Sequence, residues 1–302
     1  MKQFKYIIIA FLLLAVGFLS AKYTEQTDQI NRLTSFYQIA PVNIPAKMVF
    51  AGEEVPINKF QVKERLDREL LVNTFWQSNT LLILKRTQRA FEVIEPILKE
   101  YGVPDDFKYL AVAESGLVNA TSSAGAKGVW QFMTSSGRSY GLEINNNVDE
   151  RYHLEKSTRA ACVYLKQAYS KFGNWTLAAA SYNRGMNGIK NDIAKQHVDD
   201  YFDLHLNNET ARYINRIIAL KSIIEKPQEY GFFIENKDYY RATATYEILV
   251  DTTISNISDY AQSIGTNYHV LKSLNPWIKG NQLLVMYDLP SLDNVEKVVI
   301  DD

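Results

Sequence analysis

The chain opens on a continuous apolar run, Tyr6 to Leu19, placed behind Lys2 and Lys5, and returns to polarity at Ser20, Ala21 and Lys22. This order matches the charged and apolar regions of a secretory signal, so residues 1–21 are read as a signal peptide or an uncleaved membrane anchor. The run is short for a bilayer span, which takes about 20 residues. Under either alternative the body of the chain is exported to the periplasm or cell envelope. Tyr23 to Lys59 has little periodicity and carries Pro41, Pro45 and Pro56, which predicts an extended tether or a belt laid across the main domain.

From Phe60 onward the apolar period is that of helices. Leu66, Leu70, Phe75 and Leu81-Leu82-Ile83 give apolar faces to a helix predicted over Phe60 to Leu84, with Glu64, Arg65, Asp67 and Arg68 as its charged side. Thr87 to Tyr101 continues as helix, interrupted or restarted at Pro96 and stopped by Gly102. Pro104-Asp105-Asp106 carries the start signals of the next one. Further helices are predicted over Leu154–Phe172, over Leu177–Tyr182 with Asn174 or Thr176 as cap, and over Glu209–Glu225, ended before Pro227. The tail changes character: Ala244–Val250 and Gln282–Leu289 read as strands around short helices at Ser255–Ile264 and Tyr268–Leu274.

Within this pattern one carboxylate is out of place. Glu114 closes a helix built from Leu110, Ala111, Val112 and Ala113, and a glycine-rich turn follows it. Partial desolvation and the negative end of the helix dipole both push a carboxyl there toward holding its proton, as a general acid working near neutral pH must. Gln131 is a polar residue in an apolar run and needs a partner, either backbone or ligand. Ser115 either caps the helix end or steers Glu114, and Met133 is either a flexible ligand contact or a core residue. Tyr182 and Asn183 offer a phenol and an amide side by side.

The segments Glu114-Ser115-Gly116, Gly128-Val-Trp-Gln131-Phe-Met133, Ala180-Ser-Tyr182-Asn183-Arg-Gly185 and Glu209-Thr-Ala-Arg212-Tyr213 occur in the order seen in lytic murein transglycosylases. In them the chain resembles the membrane-bound D type, a relative of goose-type lysozymes, over roughly Val93 to Ile224. The resemblance implies a mainly α fold with a lysozyme-like catalytic domain over residues 86–230, behind an N-terminal extended and helical segment over 22–85. It implies that Glu114 is the sole catalytic acid and base, and that Ser115, Gln131, Met133, Tyr182, Asn183 and Tyr213 line a groove for peptidoglycan glycan strands. Tyr182 is then expected to partner either Glu114 or the glycan. The tail over 235–302 resembles a degenerate lysin motif, with a structural extension of the catalytic domain as the alternative for this small α+β module. A hydrolytic muramidase and a non-catalytic wall-binding protein are the rival functions.

Composition narrows the rest. The formal charge of −1, without any basic stripe, argues against a nucleic-acid partner. The four histidines are scattered without metal-ligand spacing, so neither a metal nor a cofactor is expected. Cys162 stands alone on the Leu154–Phe172 stripe and reads as a small buried hydrophobe. Ordinary glycoside hydrolysis needs a second carboxylate, and Glu143, Asp149 and Glu150 are the nearby acids, with Asp149 expected to cap a turn.

Overall fold

The computed structural model describes residues 2–35, 40–284 and 296–301. Its first helix, α1 (Lys2–Ser35), runs well past the apolar stretch and so corrects the extended segment expected from Tyr23. Among the described residues no helix is long and apolar enough to cross a membrane. Residues 40–59 then lie as a belt across the main body, with a short hairpin of β1 (Val49–Phe50) and β2 (Glu53–Glu54). Met48, Phe50 and Val55 bury themselves in the core, and the Ala51 amide donates to Asp106 at 2.7 Å.

The body is helical: α2 (Phe60–Phe75), α3 (Gln77–Tyr101), α4 (Lys108–Ser115), α5 (Thr134–Ser139), α6 (Leu154–Phe172), α7 (Trp175–Arg184), α8 (Met186–Gln196) and α9 (Asn208–Glu225). Two expectations about the first pair change. The predicted Phe60–Leu84 helix is broken at Trp76, whose φ of −84° and ψ of 58° turn the chain between α2 and α3. Pro96, by contrast, leaves α3 continuous, because Ile94, Ile97 and Leu98 around it are packed into the core. Gly102 ends α3 in the left-handed region as expected. Asn174 caps α7 through the Leu177 amide at 2.7 Å, while Glu53 of the belt takes the Trp175 and Thr176 amides. A carboxylate on free N–H groups at the positive helix end is a favourable arrangement.

One core runs from Met48 to Phe232, joining Leu66 and Leu70 of α2, Ile94 of α3, Leu165 of α6 and Ile214, Ile217 and Ile218 of α9. Segment and predicted catalytic domain thus share their interior. Cys162 is fully buried in it, and burial pushes its thiol up to about 12, which leaves it unreactive at neutral pH.

The tail folds around a second core. Here β3 (Thr245–Val250) pairs antiparallel with β4 (Glu296–Asp301), Ile248 opposite Val298, while α10 (Ile257–Ser263) and α11 (Tyr268–Leu274) pack beneath. The partner of β3 is this later strand, not the one expected at Gln282–Leu289. Leu283 makes only a single bridge to Ile254, and residues 285–289 fall outside the described set. The expectation follows from apolar content around Leu283, which serves burial rather than pairing. Val148, from the helical body, belongs to the tail's core together with Trp277 and Ile278. Main-chain bonds lock the seam: Asp149 N–H to Trp277 O and Lys279 N–H to Asn147 O, both at 2.8 Å.

Trp277 is 2% exposed at this seam. Trp277→Ala should cost the tail roughly 3–5 kcal/mol. Limited proteolysis should then cut between Tyr230 and Thr245 in the variant and spare the helical body.

Candidate active site

α4 is short, and its last turn carries Glu114 and Ser115 before Gly116 turns left-handed at φ 61°. Ser115 serves that ending: its hydroxyl donates to the Ala111 carbonyl at 3.3 Å and accepts from the Leu117 amide at 3.1 Å. The capping alternative therefore describes its contacts. Arg86 of α3 adds a donor to the Gly116 carbonyl at 3.2 Å.

Glu114 sits half-buried where α4 packs on α9. Its carboxylate accepts a short hydrogen bond from the hydroxyl of Tyr213, a fully buried residue of α9. Burial raises the Glu114 carboxyl to about 7, against the Tyr213 hydrogen bond and the Arg216 charge, which lower it; the Glu209 charge raises it further. A carboxyl held near neutrality is suited to donating a proton and then recovering it. Tyr213 itself is held well above its ordinary value by burial and by the Glu114 charge.

The glycine-rich loop follows α4 along the chain. Gly125 and Gly128 take φ of 88° and 80°, and a Cβ on Gly128 would stand 1.7 Å from the Arg151 carbonyl, so only glycine fits there. Asp149 pairs Arg151 through two bonds of 2.8 Å, and Arg151 Nη1 in turn donates to the Gly125 and Phe132 carbonyls at 3.2 Å. That clamp holds Asp149 well below its usual range, because the Arg151 bonds and charge overcome the burial that opposes them. Asp149 stands at the head of the turn Glu150–Tyr152, as expected, and its side chain is spent on the Arg151 clamp. Glu150 accepts from the Glu143 amide and from Lys156, and Glu143 accepts from Asn145.

Residues 92–203 match the transglycosylase SLT domain model, and residues 246–288 match the soluble lytic transglycosylase C-terminal LysM-like domain. The chain carries an SLT domain with a LysM-like tail. It is 30% identical over 274 residues to membrane-bound lytic murein transglycosylase D of Escherichia coli strain K12, and equally to that of strain O6:H1. The alignment takes in 87% of this chain, which spans 58% of the length of those relatives. Among solved structures, an inactive mutant of lytic transglycosylase Slt from Pseudomonas aeruginosa matches 46% of this chain and 23% of its own, at 19% identity and a TM-score of 0.30. Nothing below rests on that last likeness.

Around the SLT-domain carboxylate the groups predicted from sequence separate. Tyr213, not Tyr182, is the phenol hydrogen-bonded to Glu114; the Tyr182 hydroxyl donates to the Trp130 carbonyl at 2.8 Å. Tyr182 still lies near the charge, which together with burial raises its hydroxyl well above the ordinary value. It packs among Trp130, Phe132 and Tyr164 with ring centroids 5.1–6.4 Å apart. Gln131, at a left-handed φ of 51°, donates to the Gly128 and Ala120 carbonyls at 2.8 and 3.2 Å, so backbone supplies its donors' partners. Met133 is exposed at the start of α5, and Asn183 is exposed with its carbonyl bonded to Thr210 at 2.8 Å. Two groups escaped the sequence reading: Arg216, one turn after Tyr213, whose charge reaches the carboxylate, and Glu69, its ion partner on α2. Leu66, Glu69, Leu70 and Asn73 are spaced as one buried helical stripe, and a glutamate in such a stripe was the signal available.

Tyr213→Phe removes a donor that favours the charged form, so the Glu114 titration should rise by roughly 1–2 pH units. Tyr182→Phe should leave it in place. Carboxyl NMR of both variants measures the difference. Because the folded-state value lies above the ordinary one near 4.5, stability present below that pH should be lost as pH rises toward about 7. Glu114→Gln should abolish that decline in melting temperature.

Proposed function

We propose that the protein is a peptidoglycan lytic transglycosylase that cleaves the MurNAc–GlcNAc β-1,4 bond and leaves 1,6-anhydro-MurNAc ends. The observation that carries this reading is the isolation of Glu114 as an acid. Its proton is held near neutrality, while Asp149, Glu150 and Glu143 are spent on Arg151, Lys156 and Asn145. Glu209, whose charge reaches Glu114, is exposed and paired with Arg212 and Arg216. Hydrolysis by two carboxylates has no free partner among these acids.

One acid suffices when the second nucleophile belongs to the substrate. Glu114 gives its proton to the glycosidic oxygen as the C1–O4 bond breaks, with the N-acetyl group assisting at C1. The carboxylate then takes the proton of the sugar's 6-hydroxyl as its oxygen bonds C1. No water enters, and Glu114 ends protonated as it began. Tyr213 holds the carboxyl in place, a positioning task on which effective concentration depends. Met133, Asn183 and Gln131 would face the glycan from the loop and α7, with Ser115 and Tyr182 supporting the floor.

The relatives' names support a place in the cell envelope and an association with the membrane, for which the Tyr6–Leu19 run is the candidate segment, as signal or anchor. We assign residues 86–230 to catalysis and the tail over 235–302 to binding of glycan.

The test is the mass of fragments released from purified sacculi. Anhydro products are lighter by one water than those of a muramidase, and reducing ends in their place would overturn the assignment. Glu114→Gln should fall below about a hundredth of wild-type turnover while still sedimenting with sacculi.

A further inference from the structure

The helix that precedes the SLT-matched segment reaches the candidate acid through a chain of charges. Glu69 of α2 is 2% exposed, a location that a carboxylate tolerates only with counter-charges. It has three: Arg68 Nη1 at 2.6 Å, Arg212 Nη1 at 3.5 Å and Arg216 Nε at 3.5 Å. Arg212 and Arg216 flank Tyr213 along α9, and the Arg216 charge reaches both the phenol and the Glu114 carboxyl that it holds. Glu209 also binds Arg216, through a 3.2 Å hydrogen bond, but it is 53% exposed and open to solvent screening, whereas Glu69 is buried.

The other charged and titratable groups on the elements around α4 do not replace this pair. From α3, Arg86 is on the Gly116 carbonyl, and from α7 Tyr182 is neutral on the Trp130 carbonyl. Asp105 and Asp106, before the start of α4, are paired with Lys108 and Lys221. Arg216 is the cation whose field acts on the Glu114 carboxyl, and it opposes the effects of burial and Glu209.

We propose that Glu69 and Arg216 are positioning residues for the Glu114–Tyr213 pair: Glu69 anchors the Arg216 guanidinium one helical turn from Tyr213 on α9, and Arg216 sets the charge balance at the carboxyl. This rests on the reading of Glu114 as the acid. It makes α2, which lies outside the matched segment, a working part of the site.

The experiment follows the Glu114 titration by carboxyl NMR, beside the pH profile of glycan-strand turnover, in Arg216→Gln, Arg216→Lys, Glu69→Gln and the Arg216→Gln/Glu69→Gln double variant. Arg216→Gln should raise the titration by about half a pH unit or more, and move the kcat profile with it at unchanged KM. Arg216→Lys should restore most of it. Glu69→Gln should shift the titration only while Arg216 is present, so its effect vanishes in the double variant. A Glu114 titration that stays put in Arg216→Gln, or an equal Glu69→Gln effect in both backgrounds, overturns the proposal. If Glu69→Gln does not fold, the two Arg216 variants decide alone. Failure of the transglycosylase reading would show as absent anhydro products while the NMR titration still moves, so the two outcomes separate.

Discussion

A carboxyl half-buried at the end of a short helix is costly in its charged form unless every neighbour is arranged around it, and Glu114 imposes that arrangement here. α4 must end where α9 can offer Tyr213, so the two helices pack face to face, and the phenol must be buried to hold one geometry. α9 in turn carries Arg212 and Arg216 into a region that would reject them without Glu69. A single unfavourable carboxyl thereby recruits three helices. Local strain concentrates at the same place: Leu117 and Gln131, both non-glycine residues, take left-handed backbone angles on either side of the loop.

The glycine-rich loop is stiff for a different reason. Arg151 does three things at once, closing the ion pair with Asp149, holding two loop carbonyls and pressing its own carbonyl into the space where Gly128 lacks a side chain. Trp130 adds a buried anchor through its indole N–H on Thr158 at 2.8 Å. A loop so fixed presents its outer side chains without the entropic cost of ordering them when a ligand arrives.

Much of this was legible in the sequence because it rests on local rules. The helical periods, the Asn174 cap, the Gly102 stop and the misplaced Glu114 are short-range features, and the structure has each of them. Contacts between distant segments were not legible. Tyr182 and Tyr213 look alike along the chain, and only the packing of α9 on α4 decides which phenol meets the carboxylate. Glu69 was hidden among the charges of α2, since a buried charge looks like a surface one until Arg212 and Arg216 of the distant α9 are in place. The strand β4 was missed because its apolar alternation lies beyond the stretch around Leu283, which satisfied the expected pattern first.

The seam at Val148 has a consequence for the order in which the molecule comes into being. The tail's interior is not wholly its own: one of its buried side chains is on loan from the body, and two main-chain bonds at the seam continue outward from that same loop. A chain synthesised from its N-terminus presents residues 145–149 long before Trp277 and Ile278 exist. The body is therefore the mould on which the tail is cast, and the tail matures last, against a wall already set.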